Sequence, residues 1–303
     1  MKGKDRFSDK VVVITGASSG IGRATAHAFA REGAKTVLVS RSREKLERVR
    51  AEIAGYNPNV MVVPTNVSNE EEVREMANRV LDEFGRIDVL FTNAGKALVG
   101  AVDNRNFIKD TRDMIDVDLF GTLFSVKEVL PAMQKQGSGH IAIMSSVVGK
   151  KAFPKFGGYS ISMHAVSAFA DALRQELDGS GIRVSTIHPA LTQTPLLTSV
   201  DTADMPPPFR YMTPIKVEAV AKAVLNAVAT NRRRVVVPSQ PRVLMLADAV
   251  SPWLGDMFVK LLPNKTFASL IGMYRGRTYE HGAETGDAKV GRGGGEVERA
   301  GAR

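Results

Sequence analysis

Val11-Val12-Val13-Ile14-Thr15-Gly16-Ala17-Ser18-Ser19-Gly20-Ile21-Gly22 is the stretch on which the fold is decided. Five β-branched residues in a row form a strand, and helical spacing follows from Ile21 to Glu32, where Gly33 stops it. The glycines between them have separate uses. Gly16 allows a tight turn, Gly20 lets a pyrophosphate approach the backbone, and Gly22 lets helix and strand pack closely. Free N–H groups and the helix dipole then face the phosphates. Three glycines alone are weak evidence; their place between strand and helix at the start of a βαβ unit is the context the motif needs. The alternative is a glycine-rich turn that holds nothing.

The same rhythm continues outward. Strands are predicted at 36–40, 60–64, 87–91, 140–144, 183–187 and 235–237, and helices at 44–54, 70–84, 113–136, 158–177 and 217–230. Short runs apolar on both sides belong to a parallel sheet covered by helices. Seven of them predict an α/β, doubly wound (Rossmann) seven-stranded parallel sheet with helices on both faces. Residues 1–240 read as one dinucleotide-binding domain that includes the active site, 241–280 as a C-terminal helical extension, and 281–303 as a disordered tail with seven glycines.

Composition narrows the function classes. The chain has 303 residues and no cysteine, so a disulfide framework, a thiolate metal site and a cysteine nucleophile are excluded; no metal site is expected. A net charge of +9 suits anionic partners: a phosphate-bearing cofactor, a membrane surface or nucleic acid. Nucleic acid is not expected, because no stacking aromatics accompany Arg232-Arg233-Arg234. The polar start and the lack of a long apolar run predict a cytoplasmic chain without a spanning helix.

The end of the second strand sorts the cofactor. A carboxylate there hydrogen-bonds the ribose of NAD. This chain reads Val39-Ser40-Arg41-Ser42-Arg43 instead. A guanidinium clamps a 2′-phosphate that a carboxylate would repel. Arg41, with Ser42 beside it, therefore predicts NADP(H), unless Arg41 and Arg43 are only a solvated helix start.

These residues resemble the short-chain dehydrogenase/reductase family. The match runs over about residues 8–240: the Thr15–Gly22 turn, Asn93-Ala94-Gly95 after the fourth strand, Ser145-Ser146 ending the fifth, and Tyr159 thirteen residues after Ser146. Pro189 and Thr194 are similar to the family's segment beside the nicotinamide, with Ala190 where glycine is usual. The resemblance implies a cofactor site of Gly16, Ser18, Ser19, Gly20, Ile21, Gly22, Arg41, Ser42, Asn66, Val67, Asn93, Ala94, Gly95, Tyr159, Pro189 and Thr194. Asn66 stands in a position often held by an adenine-contacting aspartate. It also implies that Tyr159 exchanges a proton with the substrate oxygen and that Ser146 holds that oxygen. A lysine four residues past the tyrosine and an asparagine in the long fifth helix complete the family's set.

Both of those last two differ here. Met163 stands where the lysine is expected, and Asp118 where the asparagine is expected; Asp118 is the third candidate catalytic residue. A free tyrosine ionises near pH 10. If an ammonium lowers that by roughly three pH units, its loss is worth roughly 4 kcal/mol, or about a thousandfold if all of it reached the barrier. Alcohol oxidation needs tyrosinate and suffers most; carbonyl reduction needs neutral tyrosine and suffers less. Lys150, Lys151 and Lys155 are candidate substitutes, while His164 points away by helix geometry. Plain loss of catalysis stays open.

The resemblance also implies a homodimer or homotetramer formed through the helices at 113–136 and 158–177, although their apolar faces could be satisfied within one subunit. Thr194–Arg210 lies where the family places a substrate lid. Leu196, Leu197, Met205, Phe209 and Met212 there fit a lipophilic carbonyl or alcohol, or simply cap the core. Residues 242–263 have helical apolar spacing interrupted by Pro252, which fits peripheral membrane contact or packing on the domain. Three functions follow: an NADP(H)-dependent oxidoreductase, a catalytically silent NADP(H)-binding protein acting as sensor or assembly partner, or a membrane-surface scaffold.

Overall fold

A computed structural model describes residues 6–195, 205–209 and 211–274. Seven parallel strands lie in the order β3-β2-β1-β4-β5-β6-β7, the doubly wound arrangement expected from the alternating pattern. They are β1 (Val11–Thr15), β2 (Lys35–Ser40), β3 (Val60–Pro64), β4 (Val89–Thr92), β5 (Gly139–Met144), β6 (Ile182–Pro189) and β7 (Arg234–Val237).

The helices are α1 (Gly20–Arg31), α2 (Arg43–Ala54), α3 (Glu70–Phe84), α4 (Phe107–Met114), α5 (Gly121–Gln136), α6 (Gly157–Glu176) and α7 (Val217–Ala229). The C-terminal segment adds α8 (Pro241–Val250), α9 (Pro252–Leu261) and α10 (Lys265–Leu270). No described helix is long and apolar enough to cross a membrane.

The period of two along each strand divides the core between the faces. On β1, Val11 and Val13 join one apolar cluster with Val73 of α3, Val129 of α5 and Val166 of α6. Val12 and Ile14 join the other, with Phe29 of α1, Leu46 of α2 and Val224 of α7. Both faces of β1 are therefore buried, which is why its sequence shows no polar alternation.

One helix differs from the sequence reading, and another segment agrees with it. The helix expected over 113–136 begins earlier, at Phe107, and is interrupted by a π-helical turn over Ile115–Phe120. An α-helical apolar pattern hides such a turn, because a single inserted residue changes the helix phase only locally. Residues 242–263 form two helices, since Pro252 cannot donate the hydrogen bond that would continue α8 and instead starts α9. The last segment, 281–303, lies outside the described residues.

Candidate active site

In a doubly wound sheet the ligand crevice opens beyond the strand ends where the order reverses, here between β1 and β4. The two strands are stitched together there. Thr15 Oγ1 accepts from the backbone N–H of Asn93 at 2.9 Å and of Ala94 at 3.0 Å, and Asn93 Nδ2 donates to the Thr15 carbonyl at 3.0 Å. Gly16 and Gly20 both have positive φ, +67° and +52°. A Cβ on Gly22 would collide with the Gly16 carbonyl oxygen. Ser19 precedes α1 without capping it through its side chain, so the helix N-terminus keeps its donors for an outside anion. These features fit a pyrophosphate.

Arg41 is exposed beyond β2 and has no ionic partner among the described residues. Ser42 caps α2, its Oγ accepting from Lys45 N–H at 3.3 Å. Asn66 Oδ1 accepts from Ser68 N–H at 3.3 Å, which leaves the side-chain amide group of Asn66 able to donate. Val67 is buried against Gly121, where a Cβ would lie 2.8 Å from Val67 Cγ2. Thr194 packs beside Gly20, and Pro189 ends β6. Ser18, Ser19 and Gly20 also border a groove of about 1050 Å³. Its other walls come from α1, α2, α7, Arg6 and the Gln193 and Pro195 segment on either side of Thr194.

The candidate catalytic side chains converge from β5 and α6. Ser146 follows β5, and its Oγ accepts from Val148 N–H at 3.2 Å. Its carbonyl accepts from Nδ1 of His188 at 3.0 Å, a support from β6 that no spacing in the sequence signals. Burial pushes the His188 pKa down to about 4, so the ring is neutral at physiological pH and its Nδ1 carries the proton it donates. Ser145 Oγ bonds Ser167 Oγ at 2.8 Å and the Met163 carbonyl at 3.3 Å, tying the strand end to α6. Tyr159, in the first turn of α6, is partly buried with its hydroxyl beside Ser146. Burial and then the charge of Asp118 push its pKa above the ordinary phenol value; Ser146 pulls it back. None of these influences is a cation.

The reason is visible around the phenol. Met163 is buried in the core shared by the sheet, α3, α5 and α6, and presents no charge. Lys150 pairs with Asp171 at 3.5 Å, and Lys151 is held between Asp248 and Asp256 at 2.7 Å each. Those two candidate substitutes are therefore committed elsewhere. His164 is exposed and bonds the Ser160 carbonyl at 2.8 Å.

Asp118 projects from the π-helical turn into the interior and is 2% exposed. Its two oxygens accept from Lys96 N–H and Ser162 Oγ, at 2.7 Å each. Burial raises its pKa to about 7 in spite of these donors and the nearby Lys96 charge. Lys96 and Ser162 are partners that the sequence reading missed; Lys96 stands directly after the Asn-Ala-Gly motif, and Ser162 directly before Met163.

Beyond the phenol lies an aromatic wall. The Phe209 ring sits 4.8 Å from Phe153 and 5.1 Å from Phe156, and Phe156 lies 6.0 Å from Tyr159. Met205 and Met212 are buried in the same cluster, whereas Leu196, Leu197 and Arg210 lie outside the described residues.

A family model described as short chain dehydrogenase matches residues 10–204. The chain belongs to the short chain dehydrogenase family. It is 38% identical over 228 residues to an uncharacterized oxidoreductase of Staphylococcus saprophyticus, covering 74% of this chain and 92% of that protein. A short chain dehydrogenase/reductase from Burkholderia phymatum, solved in complex with NAD, superposes with a TM-score of 0.73 at 27% identity over 82% of this chain and 96% of that one. A 3-ketoacyl-(acyl-carrier-protein) reductase from Brucella melitensis, complexed with NADH, gives a TM-score of 0.69 at 26% identity, covering 76% and 97%.

Within this family fold the buried acid carries a cost that depends on pH. Its folded pKa lies above the value of an unfolded aspartate, so the contribution of this group to stability is most favourable at low pH and falls as pH rises from about 4 to about 7. The full cost is roughly 4 kcal/mol above that range. Asp118→Asn is expected to raise Tm at pH 8 and much less at pH 4, read by thermal denaturation at both values.

Proposed function

We propose that the protein is an NADP(H)-dependent oxidoreductase that interconverts a lipophilic carbonyl compound and its alcohol, working best as a reductase. The observation that carries this reading is the Tyr159 hydroxyl beside Ser146 at the edge of the crevice whose floor is the Thr15–Asn93 stitch. A bound nicotinamide supplies hydride to the carbonyl carbon. Ser146 and Tyr159 donate hydrogen bonds to the carbonyl oxygen, and Tyr159 gives up its proton as that oxygen gains charge. Phe156, Phe153 and Phe209 shape an apolar wall beside the reacting groups and exclude water.

Arg41 argues for the 2′-phosphate form of the cofactor. The two solved relatives hold NAD and NADH, but a guanidinium without a carboxylate partner suits a phosphate better than a bare ribose. Arg41→Ala is expected to weaken NADPH binding at least about tenfold, the scale of one lost charge-assisted hydrogen bond. NADH binding should change little, and titration calorimetry with both cofactors reads the difference.

The raised phenol pKa sets the direction. Tyr159 is protonated throughout the neutral range, ready to donate but slow to accept. Ionisation of Asp118 near pH 7 adds a negative charge that strengthens the phenol's hold on its proton. Carbonyl reduction should therefore slow as pH rises through about 7, and Asp118→Asn should remove that inflection. Alcohol oxidation should become measurable only in strong alkali.

A second reading, a catalytically silent NADP(H)-binding protein, is favoured by the buried Met163 and by burial and Asp118, rather than a cation, setting the Tyr159 pKa among the described residues. Steady-state assay of a panel of lipophilic ketones and aldehydes separates the two. Under the reductase reading the wild type turns over slowly and Tyr159→Phe loses about a hundredfold or more. NADPH binding without wild-type turnover, with activity appearing in Met163→Lys, establishes the silent protein instead. Exposed Phe120 and Ile161, on the π-helical turn and α6, are consistent with a homo-oligomer.

A further inference from the structure

The three C-terminal helices each have one satisfied face and one that is not. Inward, Leu244 of α8, Val259 of α9 and Leu262 join the cluster that holds Phe153, Phe209 and Met212. The helices α8 and α9 meet closely, since a Cβ on Gly255 would collide with Asp248. Lys151 clamps the pair by binding Asp248 and Asp256 together. The hairpin is thus fixed against the domain, and the orientation of its outer face is set.

That outer face is apolar. On α8, Val243, Leu246 and Val250 are spaced three and four residues apart, with Leu246 67% and Val250 72% exposed. On α9, Trp253, Met257 and Leu261 repeat every four residues, with Trp253 68% exposed. Leu270 of α10 is 82% exposed. Isolated exposed leucines are ordinary; a run of large apolar side chains along consecutive helices marks a contact surface.

Charge indicates what covers it. The exposed cations of these helices are Arg242, Lys260 and Lys265; none lies within salt-bridge distance of an acid among the described residues, although Lys260 acts on Asp256 from a turn away and Lys265 sits over the Tyr274 ring at 5.3 Å. Lys151 pairs with both Asp248 and Asp256 and offsets one of their two charges, and with Arg242, Lys260 and Lys265 the segment stays net positive. An apolar stripe bordered by exposed cations, with a tryptophan at its edge, matches an anionic lipid headgroup layer over acyl chains. The chain's own last segment does not suit the role: His281–Arg303 holds only Val290 and Val297 as large apolar residues.

We propose that the outer face of α8, α9 and α10 docks on an anionic lipid surface. This stands apart from the proposed oxidoreductase activity and does not need turnover to be tested. Trp253 is the single tryptophan of the chain, so its emission reports on this face alone. The full-length protein is mixed with vesicles of phosphatidylcholine, with and without phosphatidylglycerol. The expected result is co-sedimentation and a blue shift of Trp253 emission on the anionic vesicles, with quenching by brominated acyl chains. Affinity for phosphatidylcholine alone should be about a hundredfold lower, the scale of three interfacial cations. Leu246→Asp with Val250→Asp should abolish sedimentation, and Lys260→Glu with Lys265→Glu should abolish the preference for anionic lipid; circular dichroism checks that each variant folds. Unchanged emission of the wild type on anionic vesicles overturns the proposal, and needs no variant. So does a spectrum already blue-shifted without lipid, accompanied by a dimer in sedimentation velocity that the Leu246/Val250 variant breaks; a second copy then covers the face.

Discussion

Thr15 at the end of β1 and Asn93 after β4 hold together the two strands between which the chain reverses its winding. The Asn93 side chain, the Thr15 hydroxyl and the backbone of Gly16 occupy one small volume, and Gly22 closes it from the helix side with no room for a Cβ. The crevice thereby has a rigid floor. The N-terminus of α1 and the end of β5 that carries Ser146 both take their positions from that floor, since β5 pairs directly with β4. A hydrogen-bonded join at this point is worth more than its individual bonds, because Thr15 is buried, Asn93 is partly so, and both would be costly to leave unpaired.

The electrostatics around Tyr159 are inverted relative to what the family resemblance implies. A cation near a phenol favours its ionised form; burial and a nearby anion favour the neutral form. This chain has Met163 buried where an ammonium is expected and Asp118 buried where an amide is expected. Each change alone pushes the same way, and together they leave a phenol that keeps its proton. The carboxyl is tolerated because Lys96 N–H and Ser162 Oγ serve both of its oxygens, and because it can take up a proton near pH 7.

The C-terminal helices are coupled to the same region through packing. Their inner faces complete the cluster that contains Phe209 and Phe153, so the aromatic wall next to Tyr159 is backed by residues more than a hundred positions away from Phe153. Lys151 joins in from the loop after β5 by binding both Asp248 and Asp256. One of the three lysines that sequence order offered to the phenol is spent on holding the extension in place.

The strand runs, the glycine turn, the Ser146–Tyr159 spacing and both departures at 118 and 163 could be read directly from the chain. Each is a local property: β-branched runs, a backbone that must adopt positive φ, residues one or a few turns apart. What the linear order could not decide was where charges end up. The fates of Lys150 and Lys151, the support of Ser146 by His188, and the enclosure of Asp118 by Lys96 and Ser162 all depend on contacts between distant segments. So does the π-helical turn that aims Asp118 inward, because one extra residue in a helix leaves almost no trace in an apolar pattern. Burial and pairing energies act through space, and only the folded arrangement says which groups share the same few ångströms.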